Sequence, residues 1–166
     1  MRLTTRYRSR EFDQPPHGRG EAVPYPTVWI DERLRPLCQL LELLSTRLGD
    51  KALVLSGYRT PGFNARVLGR EGSAHTQGWA ADIWVPGRSS ETVFEALYEM
   101  LLGGTRIGGL ALSPPYVHVD LSPCNDLISQ PVLELPLILP PRVAETLCLI
   151  CHRPFRLCQG QHAGGP

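Results

Sequence analysis

Ser73-Ala74-His75-Thr76-Gln77-Gly78-Trp79-Ala80-Ala81-Asp82 decides how this chain of 166 residues is read. It sets an imidazole in a glycine-containing turn and a carboxylate inside the short β-prone run that follows, residues 80–85. A second such run, residues 116–121, carries Tyr116, His118 and Asp120 in alternation with Val117 and Val119. Strand geometry sends the polar three to one face and the valines to the other. If the two runs are neighbouring strands, His75, Asp82 and His118 converge. Two imidazoles and one carboxylate suit a zinc ion (Zn2+), and three protein ligands leave a fourth tetrahedral position for water. The same residues also read as three independent polar side chains, each satisfied locally.

Working outward, residues 52–55 form another apolar run ending in Ser56-Gly57, and residues 107–112 follow the Gly103-Gly104 break as a further strand. Leu34, Leu37, Leu40, Leu41, Leu44 and Leu48 recur at steps of three and four after Asp31, which reads as an N-cap. That stripe predicts a core-packing helix stopped by Gly49. Val93, Leu97, Met100 and Leu101 predict a second helix over residues 90–102. The uneven mixture implies an α+β fold: a small, mostly antiparallel sheet with flanking helices and the zinc site on the sheet.

The expected organisation is an extended Pro- and Gly-rich lead-in over residues 1–27, a zinc-binding domain over 28–122, a Pro-rich wrapping segment or linker over 123–146, and a Cys/His-rich tail over 147–166. In the tail, Cys148, Cys151, Cys158 and His162 supply four zinc-type ligands. A tail of free thiols is the alternative. Five cysteines, three of them in that tail, do not make a complete disulfide framework.

A net charge of +1 with 20% charged residues offers no dense basic surface, so bulk charge gives no support for nucleic-acid binding. Arg2, Arg6, Arg8 and Arg10 read as a solvated or docking segment. No apolar stretch suits a signal peptide or a membrane span, so the expectation is synthesis in the cytoplasm, with release by lysis or carriage in a virion both compatible. Nothing in the sequence indicates the oligomeric state.

Three ordered blocks resemble the zinc D-Ala-D-Ala peptidases, a family of carboxypeptidases, dipeptidases and phage endolysins that act on peptidoglycan. The pattern Ser-x-His-x-x-Gly-x-Ala-x-Asp is met at Ser73, His75, Gly78, Ala80 and Asp82. Upstream, Ser56-Gly57-Tyr58-Arg59 is similar to the family's Ser-Gly-Tyr-Arg segment. Downstream, Gly108-Gly109-Leu110 and then Tyr116-Val117-His118-Val119-Asp120 resemble its closing ligand strand. The resemblance implies a zinc metallopeptidase acting on peptidoglycan stem peptides or cross-links, with His75, Asp82 and His118 as metal ligands. It further implies Arg59 near the substrate carbonyl or carboxylate and Ser73 as a substrate hydrogen-bond partner; Tyr116 stands at a position expected to face substrate.

The family places an acid three positions before the last histidine, or a second histidine two before it; here those positions hold Pro115 and Tyr116. Proline transfers no proton, and tyrosine with a pKa near about 10 is a poor base. Asp120 is the nearest substitute, either as base or as a partner orienting an imidazole. Glu71 is a further candidate. The missing acid also leaves a non-catalytic reading: the same fold keeping zinc for stability, as a cell-wall-binding or phage structural module.

Overall fold

The computed structural model describes residues 1–15 and 22–123. The linker and the cysteine-rich tail expected from the sequence, with Cys148, Cys151, Cys158 and His162, lie outside the described residues.

The expected α+β architecture is present. Four antiparallel strands, β1 (Leu53–Ser56), β2 (Ala80–Trp84), β3 (Gly109–Ser113) and β4 (Tyr116–Asp120), form a sheet in the order β1-β2-β4-β3. Cross-strand partners share a face. Ala81 and Ile83 therefore join Val117, Val119 and Leu110 on the apolar face, all of them buried in the core. The other face carries Ala80 and Asp82 from β2, and His118 and Asp120 from β4.

The apolar residues pack with α1 (Arg35–Leu48) and α3 (Ser90–Leu102) in one core. In α1 the leucine stripe is buried at Leu37, Leu40, Leu41 and Leu44, and Gly49 ends the helix in the left-handed conformation at φ 82°. Ser89 caps α3 by accepting the Thr92 N–H at 3.2 Å.

The start of the first helix differs from the sequence reading. Residues Ile30–Leu34 form a π-helical turn whose N-cap position is Trp29, and Asp31 lies inside it. Asp31 cannot serve as the cap because it lies within the turn, where its Oδ1 instead accepts from the i,i+4 partner Arg35 at 2.8 and 3.0 Å. A short helix that the sequence reading left unnamed, α2 (Pro61–Arg66), begins after Thr60, whose hydroxyl accepts the Phe63 N–H at 3.2 Å.

The lead-in contributes to the core. Tyr7 and Phe12 are fully buried, and Ser9–Phe12 forms a 3-10 turn. Arg6 reaches across to Glu42 of α1. The Tyr7 hydroxyl donates to the Ala52 carbonyl at 2.7 Å and lies 2.8 Å from Ser45 Oγ, which ties the N-terminal segment to both α1 and the approach to β1.

Burial pushes the Tyr7 phenol up to about 12. Its folded pKa lies above the unfolded value, so this contribution to stability is complete below about pH 10 and is lost as pH rises toward 12. Tyr7→Phe should lower stability by about 1–2 kcal/mol at neutral pH, through the unpaired Ala52 carbonyl. The variant should also flatten part of the alkaline fall in melting temperature; a melting curve parallel to wild type between pH 10 and 12 would contradict this.

Candidate metal centre

The centre is built on the middle of the sheet. Asp82 of β2 and His118 of β4 are direct cross-strand partners, so their side chains rise side by side from one face. Their neighbours on that face are small: Ala111 stands opposite His118 on β3, and Ala80 and Gly109 flank Asp120 from the two adjoining strands. Gly109 is required, since a Cβ there would lie 2.2 Å from Asp120 Oδ2.

His75 enters from the turn before β2. That turn is closed by its own backbone, with Thr76 N–H donating to Ser73 O at 2.9 Å and Trp79 N–H to Ala74 O at 2.9 Å. Gly78 holds φ 75°, a left-handed conformation that suits glycine, and leads the chain into β2.

One ligand atom from each of His75, Asp82 and His118 lies within 4.8 Å of the other two. Asp82 Oδ1 is 3.1 Å from His75 Nε2 and 2.9 Å from His118 Nδ1, and the two imidazole nitrogens are 3.2 Å apart. Ligand atoms bonded at about 2.0–2.1 Å to one tetrahedral ion are separated by roughly 3.3 Å, so this spacing fits zinc. All three residues are buried.

Outer partners fix the direction of each donor. His75 Nδ1 lies 2.7 Å from the Gly57 carbonyl, an acceptor, so Nδ1 carries the proton and the Nε2 lone pair faces the cluster. His118 Nε2 lies 3.3 Å from Asp120 Oδ2, leaving Nδ1 to face Asp82 and His75. Asp120 is anchored in turn, accepting the Ser122 N–H at 2.9 Å on its other oxygen. Asp82 turns its second oxygen to an ion pair with Arg59, whose Nε donates to Ser56 Oγ at 2.8 Å.

Burial disfavours charge on every group here, and hydrogen bonding decides where it survives. At His75 burial prevails and the pKa falls below the ordinary value. At His118 burial is outweighed by the bonds to Asp120 and Asp82, which raise it to about 9. Burial also acts to raise both carboxyls, yet Asp82 is held below the ordinary range by His118 and His75, and Asp120 by His118 and Ser122. Without an ion the cluster thus keeps a proton on His118, and a cation binding there must displace it.

The structure therefore brings together His75, Asp82, His118, Asp120 and Arg59. Arg59 pairs with the outer oxygen of Asp82. Asp120 stands behind His118, on the side away from the cluster. Ser73 is buried in the turn, its Oγ 3.4 Å from the His75 N–H. Tyr116 lies two residues before His118 on the same face and is half-buried, whereas Glu71 is exposed on the preceding turn. Three contributors escaped the sequence reading as individual partners: Ser122, which anchors Asp120, the Ser56 hydroxyl and the Gly57 carbonyl. The Ser-Gly-Tyr-Arg block marks the location of Ser56 and Gly57, but a carbonyl belongs to every residue and carries no identity to read.

No curated protein and no solved structure matches the chain. The model of a peptidase family, Peptidase M15, matches residues 6–120, a span that takes in the buried Tyr7 and Phe12 as well as all the strands. With well over half its length matched and the His-Asp-His cluster inside the match, the chain belongs to the peptidase M15 family.

Proposed function

We propose that the protein hydrolyses peptide bonds in the stem peptides or cross-links of bacterial peptidoglycan, with zinc held by His75, Asp82 and His118. The observation that carries this reading is the convergence of three buried donors, each aimed by an outer partner, in a chain of this family. A zinc ion with an open position lowers the pKa of bound water and polarises a carbonyl.

The chain's own residues hold this chemistry in place. The Gly57 carbonyl and Asp120 fix the tautomers of the two imidazoles. Arg59 holds Asp82 to one oxygen on the cluster side and brings a permanent positive charge to the site, where its remaining N–H groups can meet a substrate oxygen. Tyr116, two residues before His118 on the same strand face, faces the substrate, and the Ser73 hydroxyl is a hydrogen-bond partner of the substrate. Asp120 is an orienting residue in this arrangement, because its carboxylate is engaged by His118 and Ser122 behind the imidazole.

Asp120→Asn should therefore weaken zinc binding about 10–100-fold while stoichiometry is retained at saturating metal. Unaltered affinity in a chelator competition would remove Asp120 from this role.

Pro115 and Tyr116, standing where the family pattern carries a proton-transfer residue, favour a second reading: a non-catalytic module that keeps zinc for stability and binds cell wall or serves in a phage structure. One experiment separates the two. Zinc-loaded protein is incubated with peptidoglycan and with peptides ending in D-Ala-D-Ala, and the products are analysed by mass spectrometry with and without chelator. Chelator-sensitive fragments are expected; stoichiometric zinc with no fragment from any wall tested would favour the binding module.

A further inference from the structure

We propose that Arg33 is a positioning residue for the metal centre, locking the turn that connects His75 to the Asp82 strand; the inference rests on the metal-site reading above. Arg33 lies in the π-helical turn, far from His75 and Asp82 in sequence, and has no counterpart in the motifs that suggested the site.

Only six residues separate His75 from Asp82, so the path of residues 76–79 sets how the two donors meet. Two consecutive carbonyls on that path are pinned. The Gln77 carbonyl accepts from Arg33 Nη1 at 2.6 Å, and the Gly78 carbonyl accepts from the Tyr25 hydroxyl at 2.6 Å. Gly78 is also enclosed from outside: a Cβ there would lie 2.6 Å from the Tyr25 hydroxyl oxygen and 2.8 Å from the Trp29 ring.

Arg33 is itself clamped. Its guanidinium carbon lies 4.4 Å from the Trp29 ring centroid and 4.9 Å from that of Trp79, within the range of attraction between a cation and an aromatic face. Trp79 is the last residue before β2, so Arg33 grips the chain on both sides of Gly78, by a hydrogen bond at Gln77 and by a ring contact at Trp79. The π-helical turn suits this task. Ile30 and Leu34 stay buried in the core while Arg33 between them meets Trp79 and Gln77. Tyr58, beside the Gly57 that receives His75, packs edge-on against Tyr25 and Trp29 at 6.1 and 5.9 Å, so the same aromatic group supports the other partner of His75.

Metal–ligand distances in a well-formed site fall within about 0.2 Å of their ordinary values, so the path of the turn joining two donors bears directly on affinity. A purely structural arginine would stabilise the fold without changing how the donors meet. Zinc affinity by chelator competition, the visible absorption of the cobalt(II)-substituted protein and the melting temperature of the metal-free protein distinguish these roles in the full chain.

Arg33→Met is expected to weaken zinc binding about tenfold, in the range for loss of a residue supporting a ligand, and to change the cobalt absorption. Arg33→Lys, which keeps the charge over the indoles but lacks the fork, should recover part of the affinity. Tyr25→Phe, a milder change that removes one hydroxyl, should weaken zinc a few-fold, and it keeps the test available if Arg33→Met does not fold. Melting temperatures that fall while zinc affinity and cobalt absorption stay at wild-type values would overturn the proposal. Wild-type protein that takes up no zinc would overturn the metal-site reading and this inference together; wild-type uptake with unaltered variants would overturn this inference alone.

Discussion

Purified His75→Ala protein is expected to lose zinc and peptidoglycan cleavage together. His75 is one of three donors, and its removal leaves Asp82 and His118 to hold the ion by a carboxylate and a single imidazole. Loss of an outer partner alone weakens metal binding about 10–100-fold, so loss of a ligand should exceed about 100-fold. The substitution also leaves the buried Gly57 carbonyl without its 2.7 Å partner and opens a cavity beside it. Circular dichroism of the metal-free variant is therefore the necessary control. A folded His75→Ala protein that still carried one equivalent of zinc in this domain would show that the ion sits elsewhere. One that lost zinc yet still cleaved would separate the hydrolysis from the metal.

The second large effect is expected at a residue with no side chain. Gly109 pairs with Asp120 across β3 and β4, and a Cβ there would overlap Asp120 Oδ2 at 2.2 Å. Asp120 has little space to retreat, since His118 and Ser122 already hold its two oxygens and it is 2% exposed. Gly109→Ala must therefore bend the β3–β4 pairing or break a buried charge pair. Overpacking costs about 1–3 kcal/mol and an uncompensated buried charge about 3–5 kcal/mol, so a loss of about 3–5 kcal/mol is expected. The metal-free protein should melt at least about 10 °C lower, and zinc affinity should fall with it. A melting temperature within about 2 °C of wild type would show that the sheet absorbs the methyl group, contrary to this argument.

Both effects concern a site whose donors were legible in the sequence. The glycine turn and the alternation along the strands let His75, Asp82 and His118 converge, and the resemblance to the zinc peptidases chose that reading over three independent polar residues. The bounds of α3 and the stop at Gly49 were equally plain. The π-helical turn was not: Asp31 looks like a cap by residue type, but the turn begins at Ile30 and takes Asp31 inside it. Nor was the burial of Tyr7 and Phe12, single aromatics in a segment rich in arginine, proline and glycine; the partners of the Tyr7 hydroxyl on α1 and before β1 lie 34 and 45 residues away. The helix α2 did leave a signal in Thr60-Pro61, a cap followed by the residue favoured at the first helical position.

The strand order carries a consequence for how the centre comes into being. His75 and Asp82 are seven residues apart, but His118 is 43 residues beyond His75 and rides on a strand that must pair with β2 across the whole of α3. Pairings of such long range form late, after the closure of the intervening loop has been overcome, whereas the β3–β4 hairpin is local. If the β3–β4 hairpin forms first during refolding, the third donor arrives with it. On the proposed zinc site, the time course of metal capture would then follow the docking of β4 on β2 and serve as a clock for completion of the fold.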